Sequence, residues 1–432
     1  YFIDRSSGVL FFWPPSNTGE LVELSTCCFS ATEGIGVPLV SAVNLSHFQL
    51  ANVSLGPGRG SAFSCINCTD VALAGCSVGN FNGAGTEIVN GSGVSIARSV
   101  FRGLGQTAVT MVGGDRETLQ PSNHSITDCD IGYWARWQLT GAPGVKIGGV
   151  RVLVAHNEIH HAPHHALEVS GNNHQIVNNH IHSVVLQTYD SGAIDNAYDG
   201  HSSGDLTWRG NVVAENLFHD LGDQRNFPLC PGQAHVARVQ VAIYLDDHVS
   251  GWQIHDNVLA QSDMGVFIHF GRDNNITGNL FLDVGLAVLG ADCDCCDECT
   301  ADGMCGLNQQ LLNRTQRWAS WPQYLRHYPG LRNLSHACQA RHNRLDSNAF
   351  VSCSGESKQQ NATNETRLPV SWTGLPSAYL APTKNFLAHK IDAVGFVSAD
   401  PLAHRDFTVR ADSPLWAVTG WTHQLPSHFG PR

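Results

Sequence analysis

The chain has 432 residues, 42% of them hydrophobic and only 14% charged, with 43 Gly and a formal net charge of -12. This balance excludes a disordered chain and argues against a nucleic-acid partner, which calls for a basic surface. No apolar run reaches the ~18 residues of a membrane helix, so no membrane span is expected.

The chain begins YFIDRSSGVLFFWPP, at Tyr1 rather than Met, and is read as a secreted chain whose signal peptide has been removed. From Asn52 a phrase recurs: a small polar residue, one residue, then an aliphatic or Phe, often followed by His. It reads NEIH at Asn157, NHIH at Asn179, NLFH at Asn216, NVL at Asn257, NLF at Asn279 and NAF at Asn348. Looser versions stand at Asn52, Ser77, Ser99 and Asp130. The steps from Asn52 to Asn279 are 25, 22, 31, 27, 22, 37, 41 and 22 residues. A repeat of this length marks a solenoid.

Each unit holds short Val/Ile/Phe runs broken by Asn, Asp and Gly, without the Leu framework of a leucine-rich repeat. A unit is too short for a crossover helix but long enough for about three short strands at ~3.3 Å per residue. The expected fold is therefore all-β, a right-handed parallel β-helix. The recurring Asn is expected to stack its amide from rung to rung at a turn.

The two longest regular steps place insertions at about 187–205 and 222–240. They flank TYDSGAIDNAYDG and VAIYLDDHVSG, and loops that lengthen on consecutive rungs can wall a groove. Aligning the strands puts Ala166, Ala193, Ala242 and Gly265 in one column, with Asp247 beside Tyr198 and Asp199, and His269 beside Asp246. Adjacent rungs lie ~4.8 Å apart, which brings carboxylates to about 5–6 Å, or about 9–10 Å across two rungs. Those are the separations that retaining and inverting glycoside hydrolysis require. Asp246, Asp247 and Asp199 are the catalytic candidates, since crowding them would raise one pKa as a general acid needs. Asp pairs at strand ends can equally cap turns or bind Ca²⁺.

From Asn279 to Asn348 the step is 69 residues. Residues 291–342 read as a Cys-rich, disulfide-stapled insertion, helical around Gln309 to Tyr324, between the β-helix of 1–290 and a segment of 343–432. That last segment is read as the final rungs and a β-rich tail ending SPLWAVTGW.

Disulfides are expected for Cys27, Cys28, Cys65, Cys68, Cys76, Cys129, Cys230, Cys293, Cys295, Cys296, Cys299, Cys305, Cys338 and Cys353, with pairing open, in preference to zinc at CDCCDEC. Sequons at Asn44, Asn52, Asn67, Asn90, Asn123, Asn275, Asn313, Asn333, Asn361 and Asn364 point with the cysteines to a secreted, extracellular glycoprotein. The 23 His mostly follow the turn phrase and read as exposed turn residues, not metal ligands. No cofactor is expected, Ca²⁺ apart. Four lysines disfavour a polyanionic substrate.

The motifs GGDRETL at 113–119, HHAPHHAL at 160–167, DSGAID at 190–195, IYLDDHVSG at 243–251 and GRDN at 271–274 resemble those of secreted right-handed parallel β-helix proteins allied to glycoside hydrolase family 141. The opening and SPLWAVTGW are similar to that group too, so the resemblance covers most of the chain. It implies hydrolysis of neutral sugar linkages in plant cell-wall polysaccharides, with Asp246 and Asp247 as leading catalytic residues. It implies too that Asp190, His165, Arg272 and Asp273 line the groove; His269, placed beside Asp246 by strand alignment, is a further substrate-binding candidate. The group commonly has Tyr where this chain has Asp195, and Arg where it has Tyr198. Two other classes stay open: a structural glycoprotein whose β-helices stack end to end into a fibre, and an inactive glycan-binding module.

Overall fold

The computed structural model describes residues 2–4, 6–7, 9–11, 37–196, 205–222, 240–291, 306–334, 340–353, 369–372 and 384–432. After an antiparallel hairpin of Phe2–Asp4 with Val9–Phe11, the chain winds into a right-handed parallel β-helix of three sheets. Sheet A runs from Val40–Val43 to Val370–Trp372 through 11 strands, sheet B from Ser46–Ala51 to Arg344–Asp346 through 10, and sheet C from Ser54–Leu55 to Phe386–Ala388 through 11. Each rung contributes one strand to each sheet in that order, except the last, whose described strands join sheets A and C.

Inward aliphatics stack in columns. In sheet B the column is Leu50, Leu73, Ile96, Ile126, Val154, Ile176, Val213, Ile254, Ile276 and Leu345, each opposite the next. A buried side chain of this kind contributes ~1.5–3 kcal/mol, so the core grows by a similar increment with every coil.

The corner between sheets B and C carries the Asn ladder. Asn157, Asn179, Asn216, Asn257, Asn279 and Asn348 are buried. Each Nδ2 donates to the Oδ1 of the next, at 2.9–3.2 Å, the series ending on Asn385. Each also donates to a backbone carbonyl of the preceding rung, as Asn157 does to Ile126 at 3.0 Å. The amides thus satisfy one another in the interior.

At the early rungs the ladder position differs from the expected phrase. Ser99 holds it as expected, but Cys76 and Cys129 hold it on the rungs before and after, as the backbone N–H of Cys76 donates to Ser99 Oγ and that of Cys129 to Asn157 Oδ1. Ser77 and Asp130, one residue later, open the sheet C strands. Cys76 Sγ lies 3.4 Å from Leu50 O, the contact that an Asn amide makes on later rungs.

This corrects the disulfide expectation for four cysteines. Cys65, Cys68, Cys76 and Cys129 are free, buried thiols, Cys65 within a sheet A strand and the others at corners of the solenoid, rather than staples. Cys353 Sγ lies 3.6 Å from the carbonyl oxygens of Phe281 and Val351. Cys27, Cys28, Cys230, Cys293, Cys295, Cys296, Cys299, Cys305 and Cys338 lie outside the described residues.

In the insertion, helices α1 (Gly306–Gln316) and α2 (Trp321–His327) are followed by a 3₁₀ turn at Pro329–Arg332. Tyr324 and Tyr328 of this segment pack with Leu119 and Leu331, and Tyr324 OH donates to Arg116 O at 2.6 Å. The GGDRETL motif is therefore a docking surface for the insertion.

The tail is not β-rich. Ser413 caps helix α3 (Pro414–Thr419) by accepting from Leu415 N–H, and Gly420 closes it in the left-handed conformation at φ 71°. Ser, Pro and Gly at these places are helix start and stop signals, which outweigh the β-branched residues of SPLWAVTGW. Phe396, Phe407, Val409, Leu415, Leu425 and Phe429 cover the apolar outer face that sheet C presents on its later rungs.

Seven sequon residues, Asn44, Asn52, Asn67, Asn90, Asn123, Asn313 and Asn333, are exposed, and the first five have positive φ, 53–58°. Asn275 is half-buried and donates to Gln253 Oε1 at 2.9 Å. Asn361 and Asn364 lie outside the described residues.

Candidate active site

The site forms on the outer face and C-terminal edge of sheet A, on the strands Leu167–Val169, Ser191–Asn196, Gln240–Leu245 and Met264–His269. Their register, Leu167 against Ile194, Ile194 against Ile243 and Ile243 against Val266, sets Ala166, Ala193, Ala242 and Gly265 in one column. The inward side is aliphatic; the outward side is polar over the earlier of these strands.

Glu168 stands directly opposite Asp195, both buried. Lys146, one rung earlier, neutralises Glu168 through a 2.5 Å contact. Asp195 accepts from the backbone N–H of Gly192 and of Asn196, each at 2.8 Å. Burial, then the negative charge of Asp246 and Glu168, nevertheless raise its pKa well above the usual carboxylate range. His165 Nδ1 lies 3.4 Å from Asp195 Oδ2 and 2.9 Å from Gly192 O. Burial depresses the imidazole pKa of His165 to about 3, so His165 is a neutral neighbour.

One rung on, the chain leaves Leu245 and turns at Asp246–Asp247. Asp247 (φ 43°) and His248 (φ 71°) are consecutive left-handed residues. Such backbone costs on the order of 1–3 kcal/mol per residue and clusters at functional sites. Asp246 Oδ1 accepts from Asp247 N–H at 3.0 Å. His269 Nδ1, from the next rung, lies 2.5 Å from Asp246 Oδ1 and 3.5 Å from Asp247 Oδ1. Burial opposes protonation of His269, but the hydrogen bonds and charges of the two carboxylates outweigh it and raise its pKa to about 9. At neutral pH His269 is an imidazolium between two carboxylates.

Asn196 Nδ2 donates to Asp246 O at 2.6 Å, and Tyr244 OH donates to Asp190 Oδ1 at 3.2 Å. The buried Asn196 Oδ1 and His248 Nδ1 have no partner among the described residues.

Asp246, Asp247, His269, His165 and Asp190 are thus brought together. Arg272 and Asp273 are not. They lie in the turn after Phe270, where Asp273 pairs with Arg209 at 2.8 Å and an added Cβ on Gly330 would strike Asp273. Arg272 is 1% exposed at its side chain, so this pair holds the insertion in place. Asp199 lies outside the described residues. Asp195 and Glu168 were missed because their signal, two carboxylates opposite each other on adjacent rungs, appears only once the register is fixed.

Asp246, Asp247 and His269 each offer a ligand atom, all within 4.8 Å of one another, so the trio could hold a divalent cation. An imidazole among only two carboxylates suits Ca²⁺ poorly, because Ca²⁺ takes about 6–8 oxygen ligands. A recess of about 390 Å³ beside His327, Leu119 and Arg151 has no carboxylate in its lining.

The histidines also depart from expectation. His160, His180, His182 and His219 are not exposed turn residues but buried members of sheet C strands. His160, His182 and His219 occupy one column across three rungs. The rings of His160 and His182 stack at 5.2 Å and those of His182 and His219 at 5.0 Å. Burial, followed by the neighbouring imidazoles, lowers the pKa of His180 to about 2 and of His182 to about 3.

Fold and site define the class: a parallel β-helix carrying clustered carboxylates on one sheet. No protein-family model matches the chain, and no curated protein matches it. Among solved structures it is similar to one titled "Glycoside hydrolase", at 17% identity and a TM-score of 0.36, over 52% of this chain and 38% of that one. It is also similar to one titled "The complex structure of XylC with xylose", at 10% identity and a TM-score of 0.36, over 78% of this chain and 55% of that one. The chain spans little more than half of either at most.

Proposed function

We propose that this is a secreted, extracellular glycoside hydrolase that cleaves a neutral polysaccharide in the sheet A groove. The observation that carries the reading is the contrast between neighbouring carboxyl groups. Asp195 lies buried opposite Glu168, where burial and like charge favour its protonated form, while Asp246, with Asp247, is held by the His269 imidazolium. Glycoside hydrolysis needs this pairing, one carboxylic acid to protonate the departing oxygen and one carboxylate as nucleophile or base.

Asp195 takes the role of general acid. Asp246 or Asp247 takes that of nucleophile or base, Asp247 having the more exposed side chain at 37% against 22%. The motifs resembling family 141 proteins support the assignment to neutral sugars, and the exposed sequons support secretion. Asp199, close in sequence to this cluster, is a further candidate for the second carboxylate.

Digestion of a panel of neutral plant polysaccharides, with product masses recorded, tests the reading. Products that gain one water per cleavage are expected. Unsaturated products would indicate a lyase in place of a hydrolase. Filaments by electron microscopy with no cleavage would favour the fibre, and glycan binding with no cleavage the binding module.

A further inference from the structure

The histidine cluster on the outer face of sheet C has no part in the chemistry of sheet A. Three of its atoms are placed as metal ligands. Glu158 Oε1 lies 3.5 Å from His180 Nδ1 and 3.3 Å from His182 Nε2, and all three atoms fall within 4.8 Å of one another. A tetrahedral Zn²⁺ with bonds of about 2.0–2.1 Å sets its ligand atoms about 3.3–3.4 Å apart. Two of the three edges already have that length.

The register explains the placement. Glu158 and His160 on one strand face His180 and His182 on the next. Residues two apart on a strand share a face, so the outward positions of two rungs converge on one point.

A chain of close contacts stands behind these atoms. Asp220 Oδ2 lies 2.7 Å from His219 Nδ1, and His219 Nε2 lies 2.7 Å from His180 Nε2. With that nitrogen engaged from behind, Nδ1 is the His180 atom turned to the Glu158 carboxylate. Arg405 is near enough to act on His180, His182 and Asp220, and the two carboxylates offset its charge.

We propose that Glu158, His180 and His182 bind one divalent transition-metal ion of the Zn²⁺ class, with His219 and Asp220 orienting His180 from behind and a fourth position open to water. Two imidazoles and one carboxylate suit such an ion and not Ca²⁺ or Mg²⁺. Ligating His residues are held by a second partner on the other ring nitrogen, as His180 is here. Glu158, with 35% of its side chain exposed, gives the ion a way in.

The test is calorimetric titration of the whole chelator-treated chain with zinc chloride, alongside calcium chloride. One Zn²⁺ per chain at this cluster and no Ca²⁺ there are expected, with uptake kept in the Asp246→Asn/Asp247→Asn double variant, which removes the other possible cation site among the described residues. His182→Ala should weaken binding at least about 100-fold, and Asp220→Asn about 10- to 100-fold as a supporting partner. Glu158→Gln, half-exposed and of unchanged shape, serves if His182→Ala does not fold. A Co²⁺-loaded native chain should show the absorption of a tetrahedral site, and Glu158→Gln should lose it. No uptake by the native chain, or full-strength uptake in both His182→Ala and Glu158→Gln, overturns the proposal.

Discussion

His269 Nδ1 and Asp246 Oδ1 meet at 2.5 Å across adjacent rungs, and that contact joins the two strands whose outward residues carry the candidate chemistry. Its consequence for stability follows from the raised imidazole pKa, about 9, against about 6.5 in the unfolded chain. A group whose pKa is higher in the folded state stabilises fully below its unfolded pKa and loses that contribution as pH rises through the folded value. Thermal unfolding midpoints should therefore fall between about pH 6.5 and 9, and His269→Gln should flatten the fall in that window. A parallel decline in both proteins would contradict the ion pair.

Asp195 should act through its proton. Asp195→Asn keeps the size and the acceptor oxygen but cannot donate an acid proton, and general acid catalysis is worth about 10²- to 10⁴-fold. Hydrolysis should drop by that factor with little change in melting temperature. Removing the buried, like-charged partner by Glu168→Gln should lower the Asp195 pKa and move the alkaline limb of the pH–rate profile to lower pH, since Glu168 raises it.

The Asn ladder should be costly to break. Asn216 Nδ2 donates to Ile176 O and Asn257 Oδ1, and its Oδ1 accepts from the N–H and Nδ2 of Asn179. Asn216→Ala leaves several buried groups unpaired at about 1–3 kcal/mol each. A loss of several kcal/mol in chemical denaturation is expected, against much less for an exposed residue such as Asn313. A change below about 1 kcal/mol would mean that the ladder relaxes or admits water.

Cysteine reactivity separates the interior thiols from the rest. Burial pushes Cys65 and Cys129 up to about 12, so these two, with Cys68 and Cys76, should resist alkylation in the native protein and react once it is unfolded. Mass mapping of the labelled peptides reads this directly. Rapid native labelling at Cys129 would contradict its place in the ladder corner.

The solenoid was legible because a turn amide must recur once per rung, and Asn157, Asn179, Asn216, Asn257, Asn279 and Asn348 record that recurrence. Its early rungs were misread because Cys76 and Cys129 make the same inward bond with sulfur, while the polar residues beside them, Ser77 and Asp130, face outward. The Asp246–His269 contact followed from strand alignment alone. Asp195 did not stand out, because its chemistry comes from burial and from Glu168, neither visible before the register is set. Arg272 and Asp273 looked like groove residues in sequence, yet their turn is taken up by Arg209 and the insertion. The buried histidines of sheet C were hidden because the tail that covers this sheet lies more than 150 residues further along the chain, from Phe396 onward.

The central claim is that Asp246 is part of a working hydrolytic pair. The most direct measurement compares the native chain with Asp246→Asn on a neutral polysaccharide the native chain degrades, with unfolding followed on both. Loss of at least about 100-fold in sugar release at an unchanged melting temperature is the predicted result. Equal rates in the two proteins would contradict it.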